Sequence, residues 1–398
     1  MQANAAHQQP ASAGPARQML HLRRELRVAC RAAAIAGKDP LLLRVARGEE
    51  AERTPVWLMR QAGRYMAAFR QFSDKYPFRM RSETPDIAIE LSLQPWKAYK
   101  TDGVIFFSDI LTPLPALGIE FDVVKGKGPL IATPIRSMEQ VRALQPMADP
   151  DSRLPFIRTI LSSLRQELAG SEAALLGFVG TPWTLAAYAM EGKADKDCKE
   201  TKKIMFNSPE VLHAFLDHLT VAITAYASYQ IESGAQIIQL FDSWAHHLSP
   251  EQFAEFSLPY ANKVTEALRT KYPHVPVIFH ANGGTGKLEL LRDTPNNFIG
   301  LDWATDMAVA RQTLGSQVAV QGNLDPMLLF APEQAIVDAT NKLLLAAGPR
   351  GHILNVGHGV VQGTPEAAVG VFCEAARQSG ELFAKHDLTT PAKELVHV

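Results

Sequence analysis

The feature that most constrains this chain is a recurrence: eight short apolar runs, separated by longer segments whose apolar residues return at helical spacing. The runs cover 56–61, 103–109, 173–180, 235–243, 276–282, 297–304, 317–324 and 351–359. They are nearly continuous rather than alternating, the pattern of parallel strands covered on both faces. The segments between them open with helix-start signals. Ser208-Pro209-Glu210, Ser249-Pro250-Glu251 and Thr364-Pro365-Glu366 each set a hydroxyl before a proline at the first helical position. After the first, Leu212, Phe215, Leu216, Leu219 and Ile223 repeat at helical spacing. Eight strands alternating with helices over about 340 residues predict an α/β fold, a single (β/α)8 TIM barrel over residues 39–398. An open doubly wound sheet is the rival arrangement, but no phosphate loop supports it. Gly126-Lys127-Gly128 lacks a third glycine and runs into Pro129, and Gly286-Lys287 has Ala281 where a phosphate loop needs its first glycine.

Composition narrows the partners. With 46% hydrophobic residues in 398, the chain can bury a large core. Its 40 basic and 41 acidic residues leave a formal charge of −1, so nothing global points to nucleic acid or to an anionic membrane, and any anion site must be local. No apolar run approaches the roughly 20 residues of a membrane span. Cys30, Cys198 and Cys373 have no paired spacing, which argues against a disulfide framework and a structural zinc site. The first 38 residues hold eleven alanines and five arginines against one acid, Glu25. They read as an unstructured organelle transit peptide, with a basic tail of a cytoplasmic protein as the alternative. Sparse serine favours the mitochondrial form over the plastid one.

In a barrel, chemistry sits where strands end at their carboxyl side. The stretch Pro55–Tyr65 ends an apolar run and releases Arg60 and Arg64 around Gly63. Planar guanidinium donors suit carboxylates and phosphates and stay charged at any working pH. Other strand ends supply Ser108-Asp109, Thr181 leading to Tyr188, Asp242-Ser243, and Gly357-His358-Gly359. Singly, each has a plainer reading. Asp109 and His358 could be turn residues, Tyr188 could be core, and the adjacent His246 and His247 read as loop-capping residues rather than joint metal ligands.

Six motifs, in consistent order from about residue 40 to about 385, resemble the uroporphyrinogen decarboxylase family. They are Arg60-Gln61-Ala62-Gly63-Arg64-Tyr65, Phe107-Ser108-Asp109-Ile110-Leu111, Lys125-Gly126-Lys127-Gly128-Pro129, Pro182-Trp183-Thr184-Leu185, Gln321-Gly322-Asn323-Leu324-Asp325-Pro326 and Asn355-Val356-Gly357-His358-Gly359. Leu93-Gln94-Pro95-Trp96-Lys97 and the run from Asp109 to Pro115 look most like plastid and cyanobacterial members, which moves the leader reading toward the chloroplast.

The resemblance implies a homodimeric barrel that uses no cofactor and no metal and converts uroporphyrinogen III to coproporphyrinogen III. It implies that Arg60, Arg64 and His358 bind substrate carboxylates, and that Asp109 contacts the pyrrole nitrogens. Gln61, Ala62 and Gly63 belong to the same substrate-binding motif, Tyr188 and Ser243 hold the substrate from other strand ends, and Phe107, Phe178 and Phe241 line the cleft. Asp109 and Arg60 are the expected catalytic pair, with the proton donor open between Arg60 and a bound water. Asp109 must be ionised, which a nearby Arg60 or Arg64 would favour. A zinc-dependent methyltransferase on a related barrel is disfavoured because Asn282 follows His280-Ala281 where a cysteine ligand is needed. A non-catalytic porphyrin-binding barrel has little use for Asp109.

Overall fold

The computed structural model describes residues 39–388 apart from Lys125 and Lys127. The expected leader, residues 1–38, lies outside the described residues. Nine strands are present among them: β1 (Gly103–Ile105), β2 (Phe121–Val124), β3 (Gly128–Ile131), β4 (Ala174–Gly180), β5 (Ile237–Asp242), β6 (Val277–Ala281), β7 (Phe298–Gly300), β8 (Ala319–Leu324) and β9 (His352–Val356). Seven form one parallel sheet in the order β1-β4-β5-β6-β7-β8-β9, with helices between them in the chain. Every residue of β4, β5, β6 and β9 is buried, which is why their sequences run apolar without alternation.

The predicted first strand, 56–61, is corrected. It is one bridge, Val56 beside Leu354 of β9, and the ring closes there. Leu354 N donates to Pro55 O (2.9 Å) and Trp57 N to Leu354 O (3.3 Å), while on the other side Asp102 N donates to Val56 O (2.8 Å). Side chains take over the ladder: Val56 N donates to Asp102 Oδ2 and Met59 N to Asn355 Oδ1, both at 2.8 Å. The chain then turns at Arg60, whose φ of 53° is left-handed. The remaining predicted strands are present with trimmed ends.

Two of the three helix-start signals stand where expected, while at the third the helix begins one residue later with Pro365 as its N-cap, and only one of the three is a full cap. Ser249 and Gln252 form a reciprocal capping box, whereas Ser208 and Thr364 make no capping bond to their helices. The antiparallel hairpin of β2 and β3 was not foreseen, because its strands are only four residues each and its turn uses Gly126 and Gly128 at positive φ. The hairpin lies against the loop after the helix Pro182–Glu191, through Ile131 N to Gly192 O (2.7 Å), and so brings Pro129 to the barrel mouth.

Candidate active site

At the carboxyl ends of the strands lies a cavity of about 400 Å³. Its wall contains nine of the twelve residues expected there: Arg60, Gln61, Ala62, Phe107, Asp109, Phe178, Tyr188, Phe241 and Ser243. Gly63, Arg64 and His358 are outside that wall.

Asp109 follows β1 through Phe106 and Phe107, and a tight turn fixes it. Its Oδ1 accepts Leu111 N (2.8 Å), and its own N–H reaches Thr112 Oγ1 (3.3 Å), which also bonds Ser108 Oγ (3.0 Å). Oδ2 has no partner among the described residues, so one lone-pair edge of the carboxylate is free for a ligand. Burial pushes this carboxyl above the usual aspartate range, while the Leu111 bond and the charge of Arg60 pull it down. Arg60 thus favours the ionised form as expected, but desolvation is the larger effect and Arg60 offsets only part of it. Arg64 bears on a different group, Arg81.

Arg60 and Arg64 are exposed, and neither makes an ion pair among the described residues. Arg60 lies over Gly359, where an added Cβ would stand 2.5 Å from Arg60 Cδ. No local pattern around His358 assigns Gly359 this role beneath Arg60. Gln61 is fully buried, with its amide committed to the backbone at Leu58 and Gly103 (both 3.3 Å), so it shapes the turn. His358 is half-buried, and burial followed by the charge of Arg60 lowers its pKa, favouring the neutral imidazole.

Tyr188 is half-buried, its ring 4.6 Å from that of Trp244. Burial raises its hydroxyl pKa, and Asp109 adds to the rise. Ser243 follows Asp242, the last residue of β5, which is buried and accepts hydroxyls from Thr181 and Thr184 (both 2.8 Å) and from Ser257. Asp242 therefore ties the ends of β4 and β5 together. Phe178 packs edge-on to Phe241 (5.7 Å) and against Phe106 (5.1 Å), giving one side of the cavity a low-polarity wall.

Metal ligands are poorly provided. Among the described residues no group of His, Cys, Asp or Glu is arranged to hold a metal. Cys198 and Cys373 are buried, and burial pushes both thiols up to about 12, so neither offers a thiolate. The rings of His246 and His247 lie 4.0 Å apart and tilted by 38°, with His246 Nδ1 beside Ser243 O (3.1 Å).

Together these features define a class: a closed parallel barrel with a cavity at its carboxyl end that holds a buried carboxyl, aromatic walls and a guanidinium unpaired among the described residues. The chain belongs to the uroporphyrinogen decarboxylase family, whose model (Uroporphyrinogen decarboxylase, URO-D) matches residues 38–379. It is 53% identical over 350 residues to the uroporphyrinogen decarboxylase of Crocosphaera subtropica, covering 88% of this chain and 98% of that one. It is likewise 53% identical over 345 residues to the Synechocystis enzyme of that name, covering 86% and 98%. Among solved structures, a methyltransferase from Methanosarcina mazei superposes with a TM-score of 0.72 at 19% identity, over 86% of this chain and 99% of that one, a likeness of fold.

Proposed function

We propose that this chain decarboxylates uroporphyrinogen III to coproporphyrinogen III, converting four acetate side chains to methyls, in tetrapyrrole biosynthesis. The observation that carries the reading is Asp109: a desolvated carboxyl with one unpartnered oxygen, in the same cavity as the unpaired guanidinium of Arg60.

An acetate on an electron-rich pyrrole loses CO₂ only if the electrons of the broken C–C bond have somewhere to go. Protonation of the ring carbon creates an iminium-like cation that accepts them, so the reaction as read needs neither cofactor nor metal. Asp109 accepts pyrrole N–H bonds and stabilises that positive charge as it develops; a preorganised group of this kind is worth roughly 3–4 kcal/mol. Arg60 binds a substrate carboxylate and offsets part of the burial effect on Asp109. Tyr188, on the helix after β4, and Ser243, just after β5, hold the macrocycle, and Phe107, Phe178 and Phe241 keep water from the reacting carbon. Arg64 and His358, outside the cavity wall, meet carboxylate arms at its margin. The buried thiols disfavour a zinc–thiol methyl transfer.

The same reading includes a homodimer and a plastid address, with the cytoplasm as the alternative. Exposed Trp303, Met327 and Phe330, on the segments that follow β7 and β8, offer an apolar surface for a second copy. Cyanobacterial similarity and the arginine-rich composition of residues 1–38 support the plastid address.

The test is anaerobic incubation of the purified chain with uroporphyrinogen III and no added cofactor, followed by oxidation and separation by carboxyl number. Stepwise seven-, six-, five- and four-carboxyl products are expected. Return of only the eight-carboxyl compound from folded protein would leave a binding barrel instead.

A further inference from the structure

The helix Phe78–Glu83 carries a guanidinium that the proposed reaction has not used. Arg81 is 8% exposed and makes no ion pair among the described residues. Its Nε donates to Tyr76 O (3.1 Å), and its buried Nη1 has no hydrogen-bond partner. Three rings surround it, with the guanidinium carbon 5.3 Å from Phe69, 5.3 Å from Phe78 and 5.8 Å from Phe107. Phe78 and Phe107 belong to the cavity wall.

A buried cation without a carboxylate is costly, and aromatic faces recover only part of the lost hydration. Two charged neighbours act on Arg81. Arg64 disfavours its charge, and Asp74, which is exposed, favours it. Arg64 makes no ion pair among the described residues either, and its segment reaches Arg81 through Phe69, whose ring lies 5.3 Å from the Arg81 guanidinium carbon. The orphaned donor means that the charge of Arg81 is not spent inside the protein, and in a low-dielectric wall its field persists outward.

We infer that Arg64 and Arg81 form a carboxylate subsite at the edge of the cavity. It takes one arm of the substrate that is not reacting in that turnover. Arg64 contacts the arm. Arg81, sealed behind Phe78 and Phe107, is a positioning residue that raises the positive potential there. The subsite lies beyond the wall that contains Asp109, so it contributes to binding rather than to the bond-breaking step. This inference rests on the tetrapyrrole reading above.

The test is steady-state kinetics with anaerobic uroporphyrinogen III for the unsubstituted chain, Arg81→Met, Arg81→Lys, Arg64→Met and the double Arg64→Met/Arg81→Met. Arg81→Met is expected to raise KM about tenfold with kcat held within about twofold, since it removes uniform binding. Arg81→Lys, which keeps the charge, should return KM to within about threefold. In the Arg64→Met background the Arg81 effect should shrink to about twofold or less, because the arm is no longer held. KM does not depend on the folded fraction, so the readout survives partial destabilisation. Unchanged KM in Arg81→Met, or an equal effect in both backgrounds, would overturn the subsite and leave Arg81 a structural residue. Absence of turnover by the unsubstituted chain would remove the function and the subsite together, whereas turnover with unchanged ratios between variants removes the subsite alone.

Discussion

Gly359 and Arg60 occupy one space. A Cβ at 359 would stand 2.5 Å from Arg60 Cδ, 3.0 Å from Cγ and 3.1 Å from Cβ, so the whole stem of the arginine depends on the missing side chain. The left-handed φ of Arg60 leaves its backbone little room to retreat. Gly359→Ala should therefore displace the guanidinium and lower kcat/KM about ten- to a hundredfold while the thermal unfolding curve moves little. Kinetics and circular dichroism melts on the same sample check this; unchanged kinetics would mean that Arg60 need not sit where it is.

Asp109→Asn keeps an oxygen for Leu111 N and removes the charge. Fold and melting behaviour should persist, while turnover falls about a hundred- to a thousandfold. Near-normal turnover of this variant would take Asp109 out of the mechanism.

The pH profile follows from the same residue. Burial raises the Asp109 pKa, so its protonation on acidification begins above the ordinary carboxylate range. Activity that needs the carboxylate is then present above that raised value and lost as pH falls through it, placing the acid limb of kcat/KM higher than for a free aspartate. Arg60 pulls the Asp109 pKa down, so Arg60→Gln should move the limb to still higher pH, beyond any loss of binding. A limb that stays put or moves down in a pH-rate series would contradict this.

Stability should depend strongly on the pair that closes the barrel. Arg53 grips Asp102 through two bonds (2.7 and 2.8 Å) at side-chain exposures of 18% and 4%, and Asp102 also accepts the N–H of Val56. Arg53→Met leaves a buried carboxylate unpaired and should cost about 3–5 kcal/mol, read from the urea unfolding midpoint. Breaking the exposed Lys263–Asp217 pair should cost less than about 1 kcal/mol by the same measurement.

The sequence by itself determined the architecture and most of the cavity wall. Burial on both faces of a parallel sheet writes itself as continuous apolar runs, and a residue that ends such a run, as Asp109 and Ser243 do, is carried to the barrel mouth by chain continuity alone. What the tertiary structure decided are relations between distant residues. Val56 meets Leu354 because the ring must close, and there side-chain acceptors replace a ladder, so a run that reads as a strand shrinks to one bridge. Gly359 beneath Arg60, and Arg81 among three phenylalanines beside Arg64, depend on side-chain placement that no local pattern encodes. Asp109 was legible as an acid at a strand end, but the direction of its pKa shift was not. That direction is set by how much water the assembled walls remove against how near they bring one guanidinium, a balance that exists only in three dimensions.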